Sequence, residues 1–204
     1  MSSFLIGIAG GSASGKTTFA NDLVRLLPKN STELIAVDSY YYNNPQLSHK
    51  ERSLLNYDHP DAFEFSLLVT HLNQLKAGNS VSVPIYDYVL SLRSKTVAQK
   101  LPKKIIVIEG ILTFHLKELR DLLDLKIFID TADDLRFERR LNRDIAERGR
   151  TKESVYSQWE TTAHPMFLEF CLPTKSYADL IIDGSNWSDL EINKIFGKYQ
   201  DLKF

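Results

Sequence analysis

The chain has 204 residues, 43% hydrophobic and 25% charged, a globular balance that excludes a fibrous or wholly disordered protein. The 25 lysines and arginines nearly cancel the 26 aspartates and glutamates, and a net charge of -1 speaks against general nucleic-acid binding. Cys171 is the one cysteine, which excludes an internal disulfide and a cysteine-built zinc site, and the five histidines show no close metal-ligand spacing. MSSFLIGIAGG lacks the basic start of a signal peptide, and no apolar run approaches the ~18 residues of a membrane span. The expectation is one cytoplasmic domain over residues 1–204, bound to neither membrane nor nucleic acid.

In chain order, strand-length apolar runs alternate with helix-patterned segments. The runs are Phe4–Ala9, Glu33–Val37, Lys104–Ile108, Leu125–Ile129 and Ala178–Ile182. Continuous Ile, Val and Leu predict strands buried on both faces. Helical patterns fall near 16–27, 62–76, 114–123, 133–147, 152–170 and 188–199. This alternation predicts an α/β fold, a parallel sheet with helices on both faces. Ser80–Ile85 and a partner near Thr96–Ala98 predict a β-hairpin around Tyr86–Arg93, a small lobe over about 80–98. Each run ends at a polar, acidic or glycine residue, and open α/β sheets bind ligands beyond the carboxyl ends of their strands.

The first run leads into Gly10-Gly11-Ser12-Ala13-Ser14-Gly15-Lys16-Thr17, which fits G-x-x-x-x-G-K-[ST] between a strand and a helix. Glycines let backbone N–H groups turn inward around phosphate oxygens, Lys16 reaches the β- and γ-phosphates, and Thr17 ligates Mg²⁺. Gly10 to Thr18 is therefore the candidate nucleotide site, with the three-layer architecture of P-loop NTPases. Asp38 follows the second run and is the candidate base for a hydroxyl acceptor. Glu109 ends the third run and, with Thr17 and Asp38, is a candidate magnesium neighbour.

Six of the ten arginines lie between 136 and 150: Arg136, Arg139, Arg140, Arg143, Arg148 and Arg150. On a helix, Arg136, Arg139/Arg140 and Arg143 share one face, and Phe137, Leu141 and Ile145 the other. A charge run is ordinarily a solvated face. This interval holds no lysine, however, and guanidinium forks suit phosphate. The stretch over about 133–150 therefore reads as a lid closing over the triphosphate, with Gly149 as its hinge and Arg143 and Arg148 on the nucleotide.

Seven segments in order resemble the uridine-cytidine kinase family: GGSASGKTT, DSYYY at 38–42, NYDHPDAFE at 56–64, PIYDY at 84–88, IEGIL at 108–112, RDIAERGR at 143–150 and FCLPTKSYADLII at 170–182. The resemblance implies phosphorylation of a pyrimidine nucleoside at its 5′-hydroxyl, with ATP or GTP as donor, Mg²⁺, and a homotetramer. It implies Asp38 and Lys16 as catalytic groups and Asp58 as the carboxylate holding the ribose hydroxyls. It also implies Tyr86 and Tyr88 at the base, Tyr88 where the family usually has phenylalanine, and Arg140, Arg150 and Gln158 as substrate contacts. Read without the resemblance, Asp58 is also a candidate turn or cap residue, and Tyr86 and Tyr88 a core-facing hairpin pair.

In one place the chain departs from the family pattern. Ser91 stands where the family usually has a histidine that reads the pyrimidine edge. A hydroxyl donates and accepts but is much shorter than an imidazole, so the choice of base stays open. A related small-molecule kinase, phosphoribulokinase-like or pantothenate-kinase-like, is the alternative acceptor reading. A GTPase-type switch is disfavoured: the one Asn-Lys pair, Asn193-Lys194, is followed by Ile195-Phe196, and no D-x-x-G follows a strand run.

Overall fold

In the computed structural model, residues 3–28 and 30–197 are described. Five strands form one parallel sheet: β1 (Phe4–Ala9), β2 (Thr32–Ala36), β5 (Ile105–Glu109), β6 (Leu125–Asp130) and β7 (Leu180–Asp183), in the order β2-β5-β1-β6-β7. Phe4 pairs with Ile105 and Ile6 with Leu125, so β1 lies between β5 and β6. Alternate residues of these central strands enter two separate apolar cores. Leu5, Ile106 and Phe128 belong to one, and Ile6, Ile8, Val107 and Ile127 to the other. That two-sided burial is why the runs carry no polar alternation.

Helices α1 (Lys16–Leu26) and α8 (Asp189–Gly197) cover the second core. The pattern predicted over 188–199 ends at Gly197, its last two residues lying outside the described ones. Helices α3 (Phe65–Lys76) and α4 (Lys117–Leu122) cover the first core, while α2 (His49–Ser53) is a short helix closed by a Ser48–Glu51 capping box. β3 (Val81–Asp87) and β4 (Leu92–Lys100) form the predicted hairpin as a separate two-stranded sheet. Its turn is set by Asp87, whose Oδ1 accepts from Val89 N at 2.9 Å and Leu90 N at 2.8 Å.

Helix α5 (Asp133–Arg148) carries the arginines. After it, α6 (Lys152–Gln158) runs through a π-helical turn (Trp159–Ala163), α7 (His164–Met166) and a second π-helical turn (Phe167–Cys171). The two turns flank Pro165, which cannot donate to an ordinary helical bond. Cys171 is buried, and burial pushes its thiol up to about 12, as fits a small apolar packing residue. No helix among the described residues is long and apolar enough to cross a membrane.

Candidate active site

The carboxyl ends of the strands meet at one cleft of about 690 Å³. β1 runs into the glycine loop, which closes where Ser14 N bonds Gly11 O at 3.1 Å. Gly15 takes φ +96°, a left-handed conformation that a side chain would strain, and α1 begins directly after it. Thr131, beyond the end of β6, donates its hydroxyl to Ser14 O at 2.8 Å and props the loop from the next strand. Ser12, Ala13, Gly15, Lys16, Thr17 and Thr18 line the cleft. Gly10, Gly11 and Ser14 form the back of the loop instead. A Cβ on Gly11 would come within 2.1 Å of the Arg136 guanidinium.

Asp38 lies in a short 3₁₀ turn (Val37–Tyr40) after β2, and its carboxylate faces the cleft. Its Oδ1 is buried without a partner, and Tyr88 donates its hydroxyl to Oδ2 at 3.3 Å. Glu109 ends β5 and accepts from the Thr17 hydroxyl at 3.2 Å through Oε1, while Oε2 is buried and unpartnered. Burial raises its carboxyl above the ordinary range, with Lys16 opposing. Asp58 is also pushed up by burial, with Arg140, 3.9 Å away, opposing. It does not cap the Pro60–Ala62 turn; His59 takes that role, accepting from Asp61 N at 3.1 Å. Asp58 therefore stays free to face the cleft.

The charged face of the arginine helix turns inward rather than to solvent. Its buried residues are Arg136, Arg140 and Asp144, whereas Ile145 is 44% exposed. Arg136 does not reach the cleft. Its guanidinium packs 3.7 Å over the Phe167 ring and against Trp159, and it pairs with Asp133. Arg140 donates to Ser12 Oγ at 3.0 Å and to Gln158 Oε1 at 3.5 Å. Asp144, absent from the sequence reading, gathers three arginines: Arg143 at 2.8 Å, Arg140 at 3.5 Å and Arg148 at 3.6 Å. Those three and Arg150 line the cleft. Gly149 is the residue at which the helix stops. At φ +64° it ends α5 and brings Arg150 N to Asp144 O at 3.1 Å.

Tyr57, Tyr86, Tyr88 and Ser91 also line the cleft. Tyr86 packs edge-on against Tyr41 at 5.0 Å and Tyr88 at 5.6 Å, and its hydroxyl, like that of Tyr57, is buried and unpartnered. It is thus both a hairpin packing residue and a cleft wall. Ser91 is buried at φ +50° on the hairpin tip. Helix α2 holds that tip: His49 Nε2 is 2.9 Å from Val89 O, and Arg52 donates to Leu90 O at 3.2 Å. Asp38 first, and then burial, raise the Tyr88 phenol well above its ordinary value. Arg139 of the arginine face and Trp187, the latter unassigned from sequence, also line the cleft; Arg139 donates to Gly184 O at 2.8 Å, and the Trp187 ring lies beside Gly15. A lone tryptophan just past the last apolar run was the available signal for it.

The model of the "Phosphoribulokinase / Uridine kinase family" matches residues 5–191. This chain belongs to that family. Among its relatives is a "Uridine kinase" of Lactobacillus johnsonii, 46% identical over 199 residues, covering 97% of this chain and 94% of the relative. A "Uridine kinase" of Staphylococcus aureus is 45% identical over 198 residues, covering 97% and 96%. Among solved structures, a phosphoribulokinase from Rhodobacter spheroides has a TM-score of 0.65 at 16% identity, over 91% of this chain and 73% of that one, a likeness of fold. The segments 56–64 and 143–150 line the same cleft, through Tyr57 and Asp58 from the first and Arg143, Arg148 and Arg150 from the second.

Proposed function

We propose that the protein transfers the γ-phosphoryl group of ATP to the 5′-hydroxyl of a pyrimidine nucleoside, giving the nucleoside 5′-monophosphate and ADP. The observation that carries this is a single cleft lined together by the phosphate loop, Asp38, Asp58 and the hairpin tyrosines. Loop amides and Lys16 hold the triphosphate, with the α1 N-terminus adding favourable potential. Asp58 offers two oxygens to the two ribose hydroxyls and so fixes the sugar. That leaves the 5′-hydroxyl at Asp38, which orients it and takes its proton as the oxygen attacks phosphorus. Arg140, Arg143 and Arg148 offer positive charge to the phosphoryl group in transit. Tyr86 and Tyr88 supply faces for the base, and Ser91 a short hydroxyl.

Magnesium fits the residues present. Glu109 carries an orphaned buried oxygen beside the Thr17 hydroxyl, and Asp38 carries another. Among the described residues no group of three or more His, Cys, Asp and Glu is placed to hold a metal. A cation there would rest on Thr17, one or two carboxylates and phosphate oxygens, the coordination magnesium prefers. Bound there, it would neutralise phosphate charge. The sequence resemblance also supports a homotetramer, which sedimentation at working concentration tests.

The direct test is a panel assay. Purified protein with ATP or GTP and Mg²⁺ is offered uridine, cytidine, purine nucleosides, ribulose 5-phosphate or pantothenate, and ADP and phosphorylated product are measured. Turnover with uridine or cytidine alone supports the reading. Turnover confined to ribulose 5-phosphate or pantothenate replaces it.

A further inference from the structure

We propose that Tyr88 determines acceptor specificity against water: its hydroxyl occupies the accessible oxygen of Asp38 until the sugar alcohol displaces it. This rests on Asp38 being the base. Of its two carboxylate oxygens, Oδ1 is buried, so an incoming hydroxyl meets Oδ2, the atom that accepts from Tyr88 at 3.3 Å. A phenol is an O–H donor at neutral pH and cannot itself attack phosphorus from a hairpin held in place.

The position of Tyr88 is built rather than incidental. The Arg148 guanidinium lies 4.3 Å from its ring centroid, and Tyr86 packs edge-on at 5.6 Å. Arg52 and His49 bond the carbonyls of the next two residues. The latch thus spans the cleft from the hairpin tip to the acid after β2, with a lid arginine stacked on it.

The chemistry it restrains is hydrolysis. With water as acceptor, a water O–H proton would pass to Asp38, its oxygen would bond to the γ-phosphorus, and the bond to ADP would break, yielding ADP and phosphate. Any phosphate loop with a free carboxylate beside it risks that reaction. A nucleoside, anchored by its ribose and base, can displace one neutral hydrogen bond; a lone water has no such anchors.

Tyr88→Phe tests this, through ratios rather than rates. ADP released per nucleoside monophosphate formed should rise above one, and ADP release without nucleoside should rise about fivefold, the equivalent of one hydrogen bond. If ADP and monophosphate fall together with their ratio unchanged, Tyr88 is only structural and the proposal is wrong. Calorimetry without ATP gives a second readout. Uridine and 5′-deoxyuridine should bind the parent protein with similar affinity, because the 5′-hydroxyl must evict Tyr88. In Tyr88→Phe the uridine advantage should grow about fivefold; an unchanged advantage overturns the latch. Asp38→Asn run alongside separates the two readings. If it still transfers phosphate, the base assignment fails and takes the latch with it. If it is inactive while both Tyr88→Phe ratios stay put, the latch alone fails.

Discussion

The glycine loop and the arginine helix contact each other but are made differently. The loop is backbone: glycines at the required angles, a short hydrogen-bonded turn and a helix start. Every part lies within ten residues, so its structure follows from local sequence. The helix is a side-chain device. Arg136, Arg140 and Asp144 are buried where apolar residues would ordinarily sit; the two arginines take partners from elsewhere, Phe167, Ser12 and Gln158, while Asp144 pairs with the arginines of its own helix. Buried charge persists only when paired. The lesson is that the loop tolerates change poorly at backbone positions, and the helix poorly at its carboxylate.

The largest effect should come from the loop's one essential side chain. Lys16→Ala should lower kcat/KM about a thousandfold, measured by steady-state assay, with little change in the fold. A fall under tenfold would mean that the backbone suffices. Next is the helix hub. Asp144→Asn leaves three guanidiniums without their counter-charge. We expect about 3 kcal/mol lost in urea unfolding and kcat/KM lower by one to two orders of magnitude. Glutamate at the same position should recover part of the activity. Normal stability with lost activity would make the hub purely an aligning device.

The glycines of the two regions should also part company. Gly11→Ala drives a Cβ into the buried Arg136 and should cost about 2 kcal/mol, as overpacking does. Gly149→Ala meets open space and should cost only the left-handed backbone, about 1 kcal/mol. Equal costs would mean that the helix yields to the loop. Ser91→His should widen the uridine-to-cytidine ratio of kcat/KM by about tenfold, since one base-edge hydrogen bond is at issue; a flat ratio would place Ser91 away from the base.

The smallest effect concerns the turn that carries Asp38. Tyr40, in that turn, lies 3.0 Å from His71 Nδ1, and burial holds His71 below its ordinary 6.5. The folded chain thus binds that proton less readily than the unfolded one. Its contribution is full above 6.5 and is lost as pH falls through the lowered value. Melting temperature should therefore drop between about pH 7.5 and pH 5, less steeply in His71→Gln. A parallel decline in both would assign the pH response to other groups, His115 first.

The sequence by itself determined the sheet, the hairpin and the phosphate loop. Strands buried on two faces must be apolar throughout, and the loop's chemistry is spelled in eight consecutive residues. Boundaries moved by up to about four residues: the run read as Ala178–Ile182 is Leu180–Asp183, the hairpin partner read near Thr96–Ala98 is Leu92–Lys100, and Asp38 sits in a 3₁₀ turn rather than directly at a strand end. Family motifs named Asp58, Tyr86 and Gln158, and the fold brought them to the cleft. Only the tertiary structure decided how deeply the arginine face is buried, that Arg136 serves packing while Asp144 gathers its neighbours, and that Thr131 and Trp187 adjoin the loop. Helical periodicity gives the faces of α5 but not their sides. A charged face turns inward only when partners distant in the chain compensate for desolvation, and those partners exist only once the fold has assembled.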